Sequence, residues 1–291
     1  MLLVNPAARR GAADFSALRD QLAGRLNLVG AGVPNTPERL LDSVDDALAR
    51  GVRRVVVAGG DGTLSCVAGR LQGTGTALGV VPWGSGNTFA CGLGLPGRLS
   101  DLLDVLAEGR VHAFDVGWVE DAGGVARAFL NTVTLGVSQR LATLLTPGVK
   151  RRLGWLAWPF AIRRALRSTP RVTVRLTYAD GTVDAFATRQ LIVANGRSLA
   201  GPLRATPWAS GEDGRLEVFS LGAFGRLAAL TLLGRHVHDP ESHYRICRSV
   251  AVACMPPSSL DVDGDVWGRT PVTCRVLPGA LDVLAPPRAE R

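Results

Sequence analysis

Apolar and polar positions alternate along the first third of the chain in two rhythms. "MLLVNP" (1–6) is a short apolar run, a buried strand starting at the first residue. Phe15, Leu18, Leu22 and Leu26 then recur at helical spacing. Thr36-Pro37 predicts a helix start, with threonine as N-cap and proline in the first helical position. Leu40, Leu41, Val44 and Leu48 form its apolar stripe, and Gly51 closes it. "RRVVVAG" (53–59) reads as a strand, "TLSCVAGRL" (63–71) as a helix and "TALGVVP" (76–82) as a strand. "SDLLDVLAEG" (100–109) follows as a helix capped by Ser100 and stopped by Gly109. Apolar strands alternating with amphipathic helices predict a parallel sheet covered by helices.

From about residue 111 the pattern changes. "HAFDVGWVE" (112–120), "ARAFLNTVTLG" (126–136), "RVTVRLTYADG" (171–181), "TVDAFATRQLIVANG" (182–196), "GRLEVFSL" (214–221) and "SVAVACMP" (249–256) are strand-like. Asp-Gly pairs at 180–181, 213–214 and 263–264 punctuate them, and Asp-Gly between alternating runs is the strongest short hairpin signal. The second half therefore reads as mostly antiparallel β, interrupted by helical stretches near 138–168 and 222–236. The last segment, "ALDVLAPP" (280–287), is free to return to the first domain.

Composition narrows the class. The 291 residues suffice for two domains, and 46% hydrophobic with 20% charged residues is a globular balance. No apolar run reaches the roughly 18 residues of a spanning helix, and no basic region precedes an apolar core at the N-terminus. We expect a soluble, cytosolic protein. Cys66, Cys91, Cys247, Cys254 and Cys274 show no CxxC spacing and read as small core residues. His236, His238 and His243 cluster without HExxH or a cysteine partner, a poor metal site. The net charge of +8 comes from 33 basic against 25 acidic residues and favours acidic partners such as nucleotides or anionic membrane surfaces. Lys150 is the only lysine and follows no glycine loop, so any phosphate cradle works without a Walker A lysine.

Two stretches at predicted strand ends carry the chemistry. "VVVAGGDGTLS" (55–65) and "LGVVPWGSGNTFA" (78–90) each pass from an apolar strand through glycines into a helix. Ligands of parallel sheets bind where strands hand over to helices. Gly59, Gly60 and Gly62 are expected to adopt φ > 0 and to let the backbone approach a ligand with no Cβ in the way, and the helix starting near Thr63 offers free N–H groups to an anion. Gly84, Ser85, Gly86 and Asn87 rebuild that geometry one strand on, so a polyphosphate suits the pair. The alternative is a pair of merely tight strand-to-helix turns. Asp61 alone would repel phosphates, and a bridging Mg²⁺ reverses that sign. A G-x-G-x-x-G dinucleotide fingerprint is absent.

"GGDGTLS" (59–65) with "PWGSGNTFA" (82–90) resembles the catalytic domain of diacylglycerol kinases and sphingosine kinases, the bacterial soluble lipid kinases in particular. The likeness continues through "VNPAARRG" (4–11), "FDVGWV" (114–119), "FLNTVTLGV" (129–137), "VANG" (193–196), "ASGEDGRLEV" (209–218) and "LDVDGDV" (260–266). It implies an α/β ATP-binding domain with a parallel sheet, which we place over 1–113 with 280–291 free to return to it. An antiparallel β-sandwich domain for the lipid substrate follows over 114–279, with the active site between the two. It implies MgATP-dependent phosphorylation of a lipid hydroxyl by a cytoplasmic enzyme that meets the inner face of the membrane. Carried over by motif, nucleotide contacts fall on Asn5, Pro6, Ala7, Ala8, Arg9, Thr36, Gly59, Gly60, Asp61, Gly62, Thr63, Leu64, Ser65, Ser85 and Asn87. Thr36 is equally explained as a helix cap. Asp265 is the implied catalytic base, with Asp61 beside it in catalysis, and a structural Mg²⁺ is implied at Ser210, Asp213 and Arg215.

The chain also departs from the family. Aspartate stands at 265 where glutamate is common, Cys66 replaces a glutamate, and Asn87-Thr88 replaces Asn-Asp. Arg9-Arg10 fill a place where a small residue and glycine are expected. Asp261, Asp263 and Asp265 equally suit a solvated turn.

"KRRLGWLAWPFAIRRALR" (150–167) sets Trp and Phe between arginines, as a headgroup contact would, or as a helix packed on the β domain with its arginines in water. No nucleic-acid module is present. An NAD kinase and a non-catalytic nucleotide or membrane sensor are the rival functions. The residues decide neither the lipid nor the oligomeric state, a homodimer included.

Overall fold

A computed structural model describes residues 1–8, 14–144, 157–200, 203–204, 209–220 and 243–287. Its first elements are β1 (Leu2–Val4), α1 (Phe15–Ala23), β2 (Ala31–Gly32), α2 (Pro37–Ala49), β3 (Arg54–Gly59), α3 (Asp61–Leu71), β4 (Ala77–Pro82), α4 (Thr88–Gly92) and α5 (Leu99–Glu108). Strand side chains alternate faces, and both faces are covered. Leu3, Val55, Val57, Leu78 and Val80 pack with Leu40 and Val44 of α2 and Leu64 and Val67 of α3. Leu2, Val4, Val56, Ala58 and Val81 pack with Leu18 and Leu22 of α1 and Leu102, Leu103 and Leu106 of α5. Burial on both faces is why these strands read as continuous apolar runs. They pair in parallel in the order β2-β1-β3-β4.

The remaining elements are β5 (Arg110–Asp121), β6 (Ala126–Phe129), β7 (Thr132–Gly136), α6 (Val137–Leu144), α7 (Ala157–Ser168), β8 (Val172–Tyr178), β9 (Val183–Thr188) and β10 (Gln190–Ala194). After them come β11 (Ser198–Ala200), β12 (Leu203–Arg204), β13 (Leu216–Ser220), β14 (Tyr244–Cys247), β15 (Ser249–Met255), β16 (Ser259–Val262), β17 (Asp265–Arg269) and β18 (Val272–Ala285).

One sheet runs the length of the molecule. Its order is β2-β1-β3-β4-β18-β15-β8-β9, with β5 on β18 and β6 on β5. The long strands β5 and β18 pair antiparallel from Val272↔Asp121 to Ala285↔Arg110. The end of β18 lies parallel to β4 at Val283↔Leu78, while its start is antiparallel to β15. A second sheet, β14-β13-β10-β7-β16-β17, closes the sandwich. Its Val133, Leu135, Leu191, Val193, Leu216, Val218, Leu260 and Val262 meet Val119, Phe129, Val174, Leu176, Val250, Val252 and Cys274 of the first. The architecture is an α/β parallel-sheet region followed by an antiparallel β-sandwich.

Several local expectations shift. α3 begins at Asp61, two residues before Thr63. α5 begins at Leu99 with Arg98 as N-cap; the Ser100 hydroxyl donates to Asp101 Oδ1 (2.8 Å) and caps nothing. The run 126–136 is two strands in different sheets, β6 and β7, and 182–196 divides likewise into β9 and β10. Asp-Gly at 180–181 and 263–264 join hairpins, β8–β9 and β16–β17. Asp213-Gly214 does not, because β13 pairs with β10 and β14 rather than with the strand before it. The helical stretch expected at 222–236 lies outside the described residues.

Candidate active site

The two glycine turns touch each other through their backbones. A Cβ on Gly60 would stand 3.1 Å from the Gly84 Cα, and one on Gly84 would collide with the Gly60 Cα. Asn87 takes a left-handed conformation (φ 49°) and closes the second turn on itself. Its Oδ1 accepts the Gly84 N–H (2.7 Å), and its Nδ2 donates to the Gly84 carbonyl (3.0 Å). Ser85 is exposed on that turn. The first loop is tied in by Asn5, whose Nδ2 donates to Thr63 Oγ1 (2.7 Å) and whose Oδ1 accepts the Ala7 N–H (2.9 Å). Pro6 and Ala8 flank this Asx turn; Arg9 lies outside the described residues.

The N-terminus of α3 starts where the two turns meet. The first bond within the helix runs from Leu64 N–H to the Gly60 carbonyl (3.0 Å), and no side chain caps it. The N–H groups of Asp61, Gly62 and Thr63 thus precede any intrahelical partner and carry the positive end of the helix dipole. The Asp61 carboxylate serves the neighbouring helix. Its Oδ2 accepts Thr88 N–H (3.0 Å) and its Oδ1 accepts Phe89 N–H (2.8 Å) at the start of α4. Thr36 caps α2 by accepting the Arg39 N–H (3.2 Å), and no bond joins it to the glycine turns.

The β16–β17 hairpin delivers two aspartates to the same place. Asp263 occupies the left-handed region (φ 52°) and is buried. Its Oδ1 accepts Asn131 N–H (2.9 Å) and Thr132 N–H (2.8 Å). Its Oδ2 accepts Leu130 N–H (2.6 Å) and makes a very short bond to the Ser65 hydroxyl. It therefore binds α3 to the crossing between β6 and β7. Burial pushes its carboxyl up to about 6, against the lowering effect of its Ser65, Leu130 and Thr132 bonds. Two residues on, Asp265 is half exposed, pairs with Arg127 (Nη2–Oδ2 2.7 Å), and rests where a Cβ on Gly62 would stand. A side chain at 62 would therefore expel the carboxylate.

The turn at 210–215 is organised by a different buried acid. Asp115 of β5 accepts Gly214 N–H (2.7 Å) and Gly279 N–H (2.8 Å), and its own N–H donates to the Gly211 carbonyl (2.8 Å). Asp213 is exposed and accepts the Arg215 N–H on Oδ1 (3.0 Å); Ser210 is partly exposed. These bonds run to β5 and β18 and not to the glycine turns.

Comparison with known proteins decides the family. The diacylglycerol kinase catalytic domain matches residues 1–119, and the YegS C-terminal NAD kinase beta sandwich-like domain matches 131–285. The chain belongs to the bacterial diacylglycerol kinase family. Within that family, the diacylglycerol kinase of Mycobacterium tuberculosis is 29% identical over 98% of this chain and 94% of its own. That of Staphylococcus saprophyticus is 27% identical over 80% of this chain and 76% of its own. Among solved structures, a diacylglycerol kinase from Bacillus anthracis superposes with a TM-score of 0.72 at 21% identity, covering 98% of this chain and 96% of that one. An NAD kinase from Archaeoglobus fulgidus in complex with ATP shares the fold at 0.51 and 14%, covering 97% and 92%.

In this family member the fold brings the glycine turns, Asn5 and Asp265 together: Asn5 bonds Thr63, Gly60 meets Gly84 and Asp265 rests on Gly62. Sequence reading missed the work of Asp263 and Asp115, although both lie in quoted motifs; the Asp263-Gly264 pair marked a turn, and an aspartate within the apolar strand run around Asp115 was the available signal there. Arg127 had no local signal.

Proposed function

We propose that the chain transfers the γ-phosphoryl group of ATP, with Mg²⁺, to the hydroxyl of a diacylglycerol-like lipid alcohol. The observation that carries this reading is Asp265 resting on Gly62 at the uncapped start of α3, so that a base and an anion cradle lie side by side. The Gly60–Gly84 approach leaves no Cβ in the way of phosphates. The free N–H groups of Asp61, Gly62 and Thr63, the Asn5–Ala8 loop and Ser85 are the groups that would hold them.

The acid set fits Mg²⁺ in its usual mode. Each Asp61 oxygen accepts one N–H and keeps a second acceptor site. No three His, Cys, Asp or Glu side chains gather among the described residues, so water and phosphate oxygens would complete the shell. Bound there, Mg²⁺ supplies charge neutralisation. Asp265 takes the acceptor hydroxyl proton on Oδ1 while the acceptor oxygen bonds to the γ-phosphorus. The bond from that phosphorus to the bridging oxygen breaks, and ADP keeps the electron pair. A structural Mg²⁺ would sit on the exposed oxygens of the Ser210–Asp213–Arg215 turn.

Access to a lipid is supported by α7. It buries Ala161 among Leu141 and Leu144, while Phe160 (62% exposed), Arg163, Arg164 and Arg167 face outward. No helix among the described residues is long and apolar enough to cross a membrane, and an aromatic–arginine face suits the headgroup layer. Residues 150–156 lie outside the described residues.

The test is γ-labelled ATP with Mg²⁺ and diacylglycerol micelles, beside a tube containing NAD. Label should enter the lipid and fall to a small residual rate in Asp265→Asn. Label in NAD alone, or a wild-type rate in Asp265→Asn, overturns the reading.

A further inference from the structure

We propose that Arg127 is the positioning residue for Asp265, a role that rests on the lipid-kinase reading of the site. The two belong to elements far apart in the chain, β6 and β17, and their ion pair is 2.7 Å long. The partners are unequal. The Arg127 side chain is 16% exposed and that of Asp265 55%, so the arginine is the fixed member and the short aspartate the one being held.

β6 itself is anchored. Arg127 sits opposite Val119 in the β5 ladder, Ala128 packs where a Cβ on Gly69 would lie (3.2 Å), and Phe129 fills the space above Gly117. Gly62, Cys66 and Gly69 form one face of α3, spaced by four and three residues. That face meets Asp265 at Gly62 and β6 at Gly69, which places Cys66 between them. The Cys66 thiol accordingly feels the Arg127 guanidinium, which lowers its pKa, and the Asp265 and Asp263 carboxylates, which raise it. Cys66 is exposed rather than in the core; partial desolvation by the packed face around it is the largest influence and also raises its pKa.

A packing role leaves the guanidinium chemistry unexplained. The Arg127 Nε is buried with no hydrogen-bond partner, and Asp265 is the only carboxylate paired with Arg127 among the described residues. A guanidinium bound to Oδ2 fixes the carboxylate plane and leaves Oδ1 to accept the substrate proton. Asp265 needs that restraint because it stands half exposed at a hairpin mouth, where an unpaired aspartate samples several rotamers. Among the described residues, the titratable and charged groups around it are the Cys66 thiol from α3, Arg127 from β6, and Asp261 and Asp263 from its own hairpin.

Two measurements on the full chain test this. The first needs no substrate: iodoacetamide labelling of Cys66 at pH 8, followed by peptide mass spectrometry. Arg127→Gln should slow labelling severalfold and Asp265→Asn should speed it; no change in either variant overturns the pairing. The second is the lipid phosphorylation assay. Arg127→Gln and Arg127→Ala should lower kcat at least tenfold with KM for ATP within twofold. Arg127→Lys should recover part of the rate, as should millimolar guanidinium added to Arg127→Ala. In an Asp265→Asn background, Arg127→Gln should cost less than twofold more. Full activity in Arg127→Gln, or an undiminished further loss in that background, overturns the proposal while wild-type activity upholds the lipid-kinase reading. A wild type that phosphorylates no lipid overturns both.

Discussion

Removing the Asp263 carboxylate should loosen the crossing that holds β17 against α3, and the size of the effect follows from its bonds. In Asp263→Ala the buried N–H groups of Leu130, Asn131 and Thr132 lose their acceptor. At about 1–3 kcal/mol for each orphaned donor, the loss is about 3–9 kcal/mol. Alanine in the left-handed region adds about 1 kcal/mol. Ser65 loses little, because its hydroxyl can donate to the Asp61 carbonyl instead (3.0 Å). The relief opposes these costs. A carboxyl raised from 3.8 to about 6 pays roughly 3 kcal/mol to be ionised at neutral pH, and alanine escapes that. The balance is a destabilisation of about 4 kcal/mol, or roughly 8–16 °C in Tm for a chain of this size. Thermal unfolding followed by far-UV circular dichroism at pH 7.5 measures it. A Tm within about 2 °C of wild type would refute the reasoning, since the three N–H groups would then have found other partners.

The same carboxyl predicts a pH dependence with a definite sign. Its folded pKa lies above the unfolded one, so its contribution is fully present below about 3.8 and is lost as pH rises through about 6. The stability gap between wild type and Asp263→Ala should widen by about 1.4 kcal/mol from pH 7.5 to pH 5; urea melts at both pH values should show it, and a narrowing gap refutes it. Asp61→Ala should abolish Mg²⁺-dependent phosphorylation and also lose about 1 kcal/mol, because it uncaps Thr88 and Phe89. An unchanged Tm would dissociate it from α4, and an unchanged turnover would remove it from the chemistry. Gly84→Ala meets the backbone of Gly60, which has no side chain to move, and should cost about 1–3 kcal/mol. ATP should no longer raise its Tm in differential scanning fluorimetry; a wild-type shift would place the nucleotide elsewhere. Asp115→Asn should orphan Gly214 N–H or Gly279 N–H and cost about 1–3 kcal/mol by urea denaturation, and no loss would free the 210–215 turn from β5.

What the chain determines by itself is whatever its neighbours along the sequence can enforce. Thr36-Pro37 starts α2 because a hydroxyl three residues upstream reaches the Arg39 N–H. The valines of β3 are apolar throughout because both sheet faces are covered. Asp-Gly at 180–181 and 263–264 turns the chain because Gly181, Asp263 and Gly264 all take positive φ. Glycines at two strand ends announce the paired turns for a different reason: Gly60 and Gly84 take no positive φ but approach each other too closely for a Cβ. The same logic misleads at Ser100, whose hydroxyl turns to its neighbour Asp101 inside a helix that starts at Leu99, and at Asp213-Gly214, whose local signal the sheet order overrides.

Only the tertiary structure decides how the acids are used. Asp263 meets Ser65 across 198 residues, Arg127 meets Asp265 across 138, and Asp61 meets Phe89 across 28. None of these partnerships leaves a mark in hydrophobic periodicity, which reports which face is buried and not what lies opposite. The pairings follow from the register of β5 against β18 and of β16 against β17, set by many residues at once. An aspartate in a polar turn reads the same whether water or three backbone N–H groups await it; closing the two sheets over α3 makes one buried and leaves its neighbour at the mouth.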